Sequence, residues 1–225
     1  RLRDKVKFVL MECEKSFDRC FCVSMGTNVA EDYDAAVHFT EEGLLLDVKD
    51  EELKKLFAGA GSEKEFTPAY VTENHSAMTV PDISDRGLLP AIIASEYWRQ
   101  FDEKCIACGG CNTVCPTCSC FDTSDIIYQE TDTSGERKRT WGSCMLDSFT
   151  VMAGGASVRK CHGDNMRFKT LHKMYDFNAR FQNGHMCVGC GRCDARCPED
   201  IHFSEVVNGL AEVVENIKKE AAKEA

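Results

Sequence analysis

Cys105-Ile-Ala-Cys108-Gly-Gly-Cys111-Asn-Thr-Val-Cys115-Pro116 and Cys187-Val-Gly-Cys190-Gly-Arg-Cys193-Asp-Ala-Arg-Cys197-Pro198 constrain this chain more than anything else in it. Both runs read C-x2-C-x2-C-x3-C-P, the spacing by which bacterial ferredoxins hold cubane [4Fe–4S] clusters. Thiolates two residues apart on one tight loop can reach three iron corners of the same cube. The fourth thiolate, followed by a proline that breaks the local backbone, points away and ligates the other cluster. Two runs in one chain therefore predict two neighbouring clusters that exchange one ligand each. Cluster I takes Cys105, Cys108, Cys111 and Cys197; cluster II takes Cys187, Cys190, Cys193 and Cys115. Such a pair is a conduit for electrons.

Other uses of these cysteines fit less well. Structural zinc is normally served by two C-x2-C pairs, whereas each run here offers three evenly spaced thiols plus a Cys-Pro. A disulfide framework favours short secreted chains with an even cysteine count. This chain has 225 residues and 15 cysteines. Cluster ligands and free thiols need a reducing compartment, which places the protein in the cytoplasm of an organism that tolerates little oxygen. No apolar stretch approaches the length of a membrane span. The net charge of −10 argues against a nucleic-acid partner. Between Arg137 and Arg180 the balance reverses to +6, leaving −16 for the rest. A solvated helix face is the plainer reading of those cations. The sharper one sets them beside a cluster, where they would raise its potential, or against an acidic partner.

The pattern along the chain predicts an α+β protein: a mixed α/β region over residues 1–80, then a helical-ferredoxin-like dicluster domain over residues 81–225 with a hairpin insertion. Val6 to Met11 is strand-like, and Ala35–Phe39 with Leu44–Val48 flank a hairpin turn. Asp50 is placed to cap a helix running to Phe57. From Pro81 the stripe Leu88, Leu89, Ile92, Ile93 and Trp98 predicts a helix leading into the first run. Phe121–Glu130 and Arg137–Trp141 predict a second hairpin, Arg167–Phe181 a helix feeding the second run, and Ser204 the cap of a terminal helix, Glu205–Lys219.

A third constellation, Cys13, Cys20 and Cys22, follows the first strand and precedes the glycine loop Met25-Gly26-Thr27. These thiols are candidate ligands of a third [4Fe–4S] cluster, the alternative being three buried small apolar side chains. Cys118, Cys120 and Cys144 are expected to pack around cluster I or to lend the third site a ligand, and Cys161-His162 to lie in a polar loop without a role. Arg192 and Arg196 are expected to tune cluster potentials. The chain shows no dinucleotide fingerprint, P-loop or catalytic dyad, so the electron donor and the substrate site are expected on other subunits.

Taken together, Cys20-Phe-Cys22-Val-Ser-Met-Gly26-Thr-Asn28, Cys115-Pro-Thr-Cys118-Ser-Cys120-Phe121, Trp141-Gly-Ser-Cys144, Ala153-Gly-Gly155, Leu171-His-Lys173 and His185-Met-Cys187 resemble the A subunits of anaerobic sulfite reductases over almost the whole chain. The Cys-Phe-Cys-x-Ser-Met-Gly loop also resembles the β subunits of cytoplasmic hydrogenases and sulfur reductases. The first resemblance implies an electron-transfer subunit with no substrate site of its own. It implies an FAD-bearing flavoprotein partner that oxidises NAD(P)H and a sirohaem subunit that reduces sulfite to sulfide. The second implies the same wire with a different terminal enzyme, and a metal-binding protein without redox function is the reading from another class. Members of the sulfite reductase family extend further upstream and carry another cysteine there, a candidate fourth ligand for Cys13, Cys20 and Cys22.

Overall fold

The computed structural model describes residues 3–131 and 133–224. The protein is α+β: several short helices and one long terminal helix around one apolar core, a three-stranded sheet at the N-terminal side, and a two-stranded ribbon. Strands β1 (Val9–Met11), β2 (Ala35–Thr40) and β3 (Gly43–Val48) form the sheet in that order, with β1 parallel and β3 antiparallel to β2. The first strand is shorter than Val6–Met11, because it pairs with β2 only from Val9 onward. Helix α1 (Glu51–Phe57) starts where expected: the Asp50 carboxylate accepts from the Glu52 and Leu53 amides at 3.1 and 3.0 Å.

The segment after Pro81 is not one helix. It is a 3-10 turn (Arg86–Leu88), α2 (Leu89–Ala94), a second 3-10 turn (Glu96–Arg99) and α3 (Gln100–Lys104). Ser95 is extended and breaks the path, accepting the Tyr97 amide with its hydroxyl. The break turns Leu88, Ile92, Trp98 and Phe101 inward and leaves Ile93 exposed. The Trp98 indole N–H donates to the Ile92 carbonyl at 2.8 Å, so even the polar edge of this wholly buried ring is satisfied.

The second hairpin is β4 (Phe121–Ile127) against β5 (Gly135–Trp141), with Tyr128–Glu130 in the connection rather than the strand. Every residue of both strands is exposed, so the ribbon projects from the body. Helix α5 (His162–Leu171) starts five residues before the expected Arg167. A π-helical turn (His172–Asp176) joins it to α6 (Phe177–Phe181). Cys161 therefore sits at the helix entrance rather than in an idle loop, its sulfur 2.6 Å from an Arg99 nitrogen, while Arg99 also reaches Asp164 at 2.8 Å.

The terminal helix α8 (Phe203–Glu224) begins before Ser204, which lies buried within it. Its first amide, on Phe203, donates instead to the buried Asp194 carboxylate at 2.8 Å. The acceptor lies nine residues upstream, in the helical turn Arg192–Arg196, so nothing next to Ser204 marks the start. Phe203, Val206, Val207, Leu210 and Val214 line the inner face and close the core over Trp98, Met166 and Met174. Tyr97 donates its hydroxyl to the Val206 carbonyl at 2.8 Å, binding the 3-10 turn to α8. No helix among the described residues is long and apolar enough to cross a membrane.

Candidate iron–sulfur centre

The two cysteine runs fold alike. Each opens as a loop with a left-handed residue before its second cysteine, Ala107 (φ 51°) and Gly189 (φ 64°). A left-handed glycine then starts a single helical turn: Gly109 before α4 (Gly110–Thr113), Gly191 before α7 (Arg192–Arg196). Turns α4 and α7 pack against each other. The left-handed steps curl three cysteines of each run around one cavity.

Two adjoining cavities lie between the runs. Cys105, Cys108, Cys111 and Cys197 line one, with Met145, Met166, Ile201 and Phe203 as its apolar wall. Cys115, Cys187, Cys190 and Cys193 line the other, against Phe21, Val188 and Phe203. Each cavity thus draws its first three cysteines from one run and meets the last cysteine, together with the third, of the other. Cys111, Cys193, Lys169 and Phe203 line both, so a common wall separates them.

The donor set fits iron–sulfur clusters better than a single metal ion. Four thiolates around one zinc at Zn–S distances of about 2.3 Å would stand only about 3.8 Å apart. Among the described residues, the sole trio of potential ligand atoms within 4.8 Å of one another is Glu12, Glu14 and His38, which is not a cysteine site. The cysteines surround volumes instead of a point. Burial pushes the Cys105 thiol up, the Cys187 thiol up to about 11 and the Cys193 thiol higher still. Bare thiolates would be costly here, and bound iron would stabilise them. Cys115 goes the other way, held down to about 4 by a hydrogen bond from Cys118 and by the Lys173 cation.

The sequence pattern did not single out Lys169 and Lys173 from the nine cations of their stretch, for which a solvated face was the plainer reading and a place beside a cluster the sharper one. Both are buried, at 3% and 4% exposure. The Lys173 ammonium lies 3.2 Å from the Cys115 sulfur and 3.2 Å from the Thr117 hydroxyl. Burial alone would push both lysines down. The charges of Cys111 and Cys193 on Lys169, and of Cys115 and Cys118 on Lys173, outweigh it and hold both above the ordinary lysine value. The Lys173 carbonyl, inside the π turn, accepts the Met186 amide at 2.9 Å and so ties the second run to the helix. Arg192 and Arg196, by contrast, are exposed. The available signal was a lysine pair four residues apart among Met166, Leu171 and Met174.

The structure also brings Cys13, Cys20 and Cys22 together, near enough that the charges of Cys22 and Cys13, with that of Cys190, add to burial in raising the Cys20 thiol. Asn74 clasps the loop, accepting the Val23 amide at 2.7 Å and donating to Ser16 at 2.9 Å and to the Cys22 sulfur at 3.6 Å. This loop is docked on the second run. The Phe21 amide donates to the Gly189 carbonyl at 2.8 Å, and the Thr27 hydroxyl to the Val188 carbonyl at 2.8 Å. Cys118 and Cys144 are buried beside the centre: Cys118 against Cys115, and Cys144 accepting from the Asn112 amide group at 3.0 Å.

Fold and donor set define the class, and comparison with known proteins agrees: residues 104–201 match the 4Fe-4S dicluster domain family. The chain is also 30% identical over 213 residues to the sulfhydrogenase 2 subunit beta of Pyrococcus furiosus, a match covering 86% of this chain and 60% of that protein. No solved structure matches it.

Proposed function

We propose that this chain is the iron–sulfur electron-transfer subunit of a hydrogenase- or sulfur-reductase-type complex. The observation that carries the reading is the pair of cysteine-lined cavities, each with cysteines from both runs and with Cys111 and Cys193 in the wall they have in common. When bound, [4Fe–4S] clusters supply one-electron carriers there. In this assignment Cys105, Cys108, Cys111 and Cys197 anchor one cluster and Cys187, Cys190, Cys193 and Cys115 the other. Cys13, Cys20 and Cys22 are three ligands of a third. The chain's own work is to hold these groups close together, exclude water with Phe21, Met145, Met166 and Phe203, and leave one end accessible. Cys108 and Ile106 are exposed, which makes the first run the face nearest a redox partner. The division into residues 1–80 and 81–225 is part of the proposal, with the Cys20–Cys22 loop docked across it.

The sulfhydrogenase relative supports a terminal partner that handles hydrogen or sulfur, and a flavoprotein partner fits the lack of any nucleotide motif in this chain. A sulfite-reducing, sirohaem-bearing partner is the second reading, favoured by Cys115-Pro-Thr-Cys118-Ser-Cys120 and Trp141-Gly-Ser-Cys144. Anaerobic purification of the native complex tests both levels. Two magnetically interacting spin-half centres after dithionite reduction are expected. Stoichiometric zinc in a redox-silent protein would overturn the electron-transfer reading. Nickel in the complex supports the first partner, and a sirohaem absorption band the second.

A further inference from the structure

Resting on that reading, we infer that Lys169 and Lys173 are the residues that set the potentials of the two clusters: one cation in the wall common to both, the other against a single ligand of the second. Nine Lys and Arg residues fall between Arg137 and Arg180, and Arg137, Lys138 and Arg139 lie on the exposed ribbon. Lys169 and Lys173 alone of the nine are buried. They sit four residues apart, hence about 6 Å along the helical rise. Lys169 lines both cavities, flanked by Cys111 from one run and Cys193 from the other. Lys173 lines only the second cavity and donates to Cys115, the ligand that run borrows from the first.

A buried ammonium stabilises the more negative, reduced form of a cluster, and hydrogen bonds to ligand sulfur act in the same direction. The site has little water to screen that charge, so its effect is strong. The asymmetry of the two positions gives the inference its signature. Removing the Lys169 charge should make both clusters harder to reduce. Removing the Lys173 charge should act mainly on the cluster held by Cys115, Cys187, Cys190 and Cys193.

The experiment is an EPR-monitored redox titration of the iron-loaded protein carrying Lys169→Met or Lys173→Met. The exposed Arg180→Gln at the end of the same helical segment serves as control. Lys169→Met is expected to lower the reduced-to-oxidised ratio of both centres at least tenfold at a fixed potential, about 59 mV for one electron. Lys173→Met should do so for one centre, and Lys173→Arg should restore it. Native iron content with unmoved potentials overturns the inference and leaves the electron-transfer reading intact. An unsubstituted protein without iron fails that reading instead. Should the methionine variants not load iron, the unsubstituted protein with nitrogen-15 lysine decides. Hyperfine coupling from lysine nitrogen to a reduced centre supports the inference, and its absence overturns it.

Discussion

Alanine at Gly189 should release the Cys20–Cys22 loop from the second run, and the internal repeat supplies the control. A Cβ on Gly189 would lie 2.6 Å from the Cys22 Cα and amide nitrogen and from the Phe21 carbonyl carbon. These are backbone atoms, so no rotamer change relieves the overlap. The residue also sits at φ 64°, where a side chain costs about 1–2 kcal/mol. Forcing atoms into a packed contact costs a further 1–3 kcal/mol or so. The loop should therefore loosen by roughly 2–5 kcal/mol, which is about 30-fold or more in its opening equilibrium. The equivalent position in the first run is Ala107, where alanine already occupies φ 51°. Backbone strain alone is thus tolerable in this loop type, and the clash with Phe21 and Cys22 is what Gly189 avoids. Gly191→Ala should behave likewise, its Cβ meeting the Arg19 carbonyl oxygen at 2.1 Å. Gly109→Ala should be mild, meeting only Leu146 and Ser143 side chains at 3.2 Å. Hydrogen exchange at the Phe21 amide, which donates to the Gly189 carbonyl, reads the outcome. Unchanged protection in Gly189→Ala, or equal losses in Gly189→Ala and Gly109→Ala, would refute the docking.

Three further outcomes are expected. Cys197→Ser should reproduce the spectral damage of Cys108→Ser, and Cys115→Ser that of Cys190→Ser, because each last cysteine lines the cavity of the other run; matching damage within a run contradicts this. Gly209→Ala would normally add about 1 kcal/mol in a helix. Here the new Cβ meets the Tyr97 side chain at 2.4–2.7 Å, so a net loss is expected by denaturant midpoint and a gain would contradict the packing. Replacing residues 122–140 with a short glycine turn should leave iron content unchanged, since both strands are exposed throughout and their ends, Phe121 and Trp141, are already paired; loss of iron would show that the ribbon supports the centre.

What could be read from the sequence was whatever local chemistry dictates. The spacing of the eight cysteines implied tight loops, and both runs fold as such loops, with left-handed steps at Ala107 and Gly109 and at Gly189 and Gly191. Asp50 capped its helix, and β2 with β3 formed their hairpin, for equally local reasons. Long-range partners were illegible. Asp194 caps α8 across nine residues and a change of direction, while Ser204 offered a plausible local decoy. The inward turn at Ser95 split the stripe after Pro81, because burying Trp98 and Phe101 outweighed helix continuity. For Lys169 and Lys173 the surface was the plainer of two readings, since lysine is almost never fully buried unless paired. Their partners are thiols contributed by both runs, which no window of sequence places beside them.

Iron-edge anomalous diffraction from crystals of anaerobically prepared protein tests the ligand exchange between runs most directly. The account predicts two separate iron peaks, one bonded to Cys105, Cys108, Cys111 and Cys197 and the other to Cys187, Cys190, Cys193 and Cys115, with Lys169 between them. Iron held by all four cysteines of a single run, or no iron density in these cavities, would contradict it.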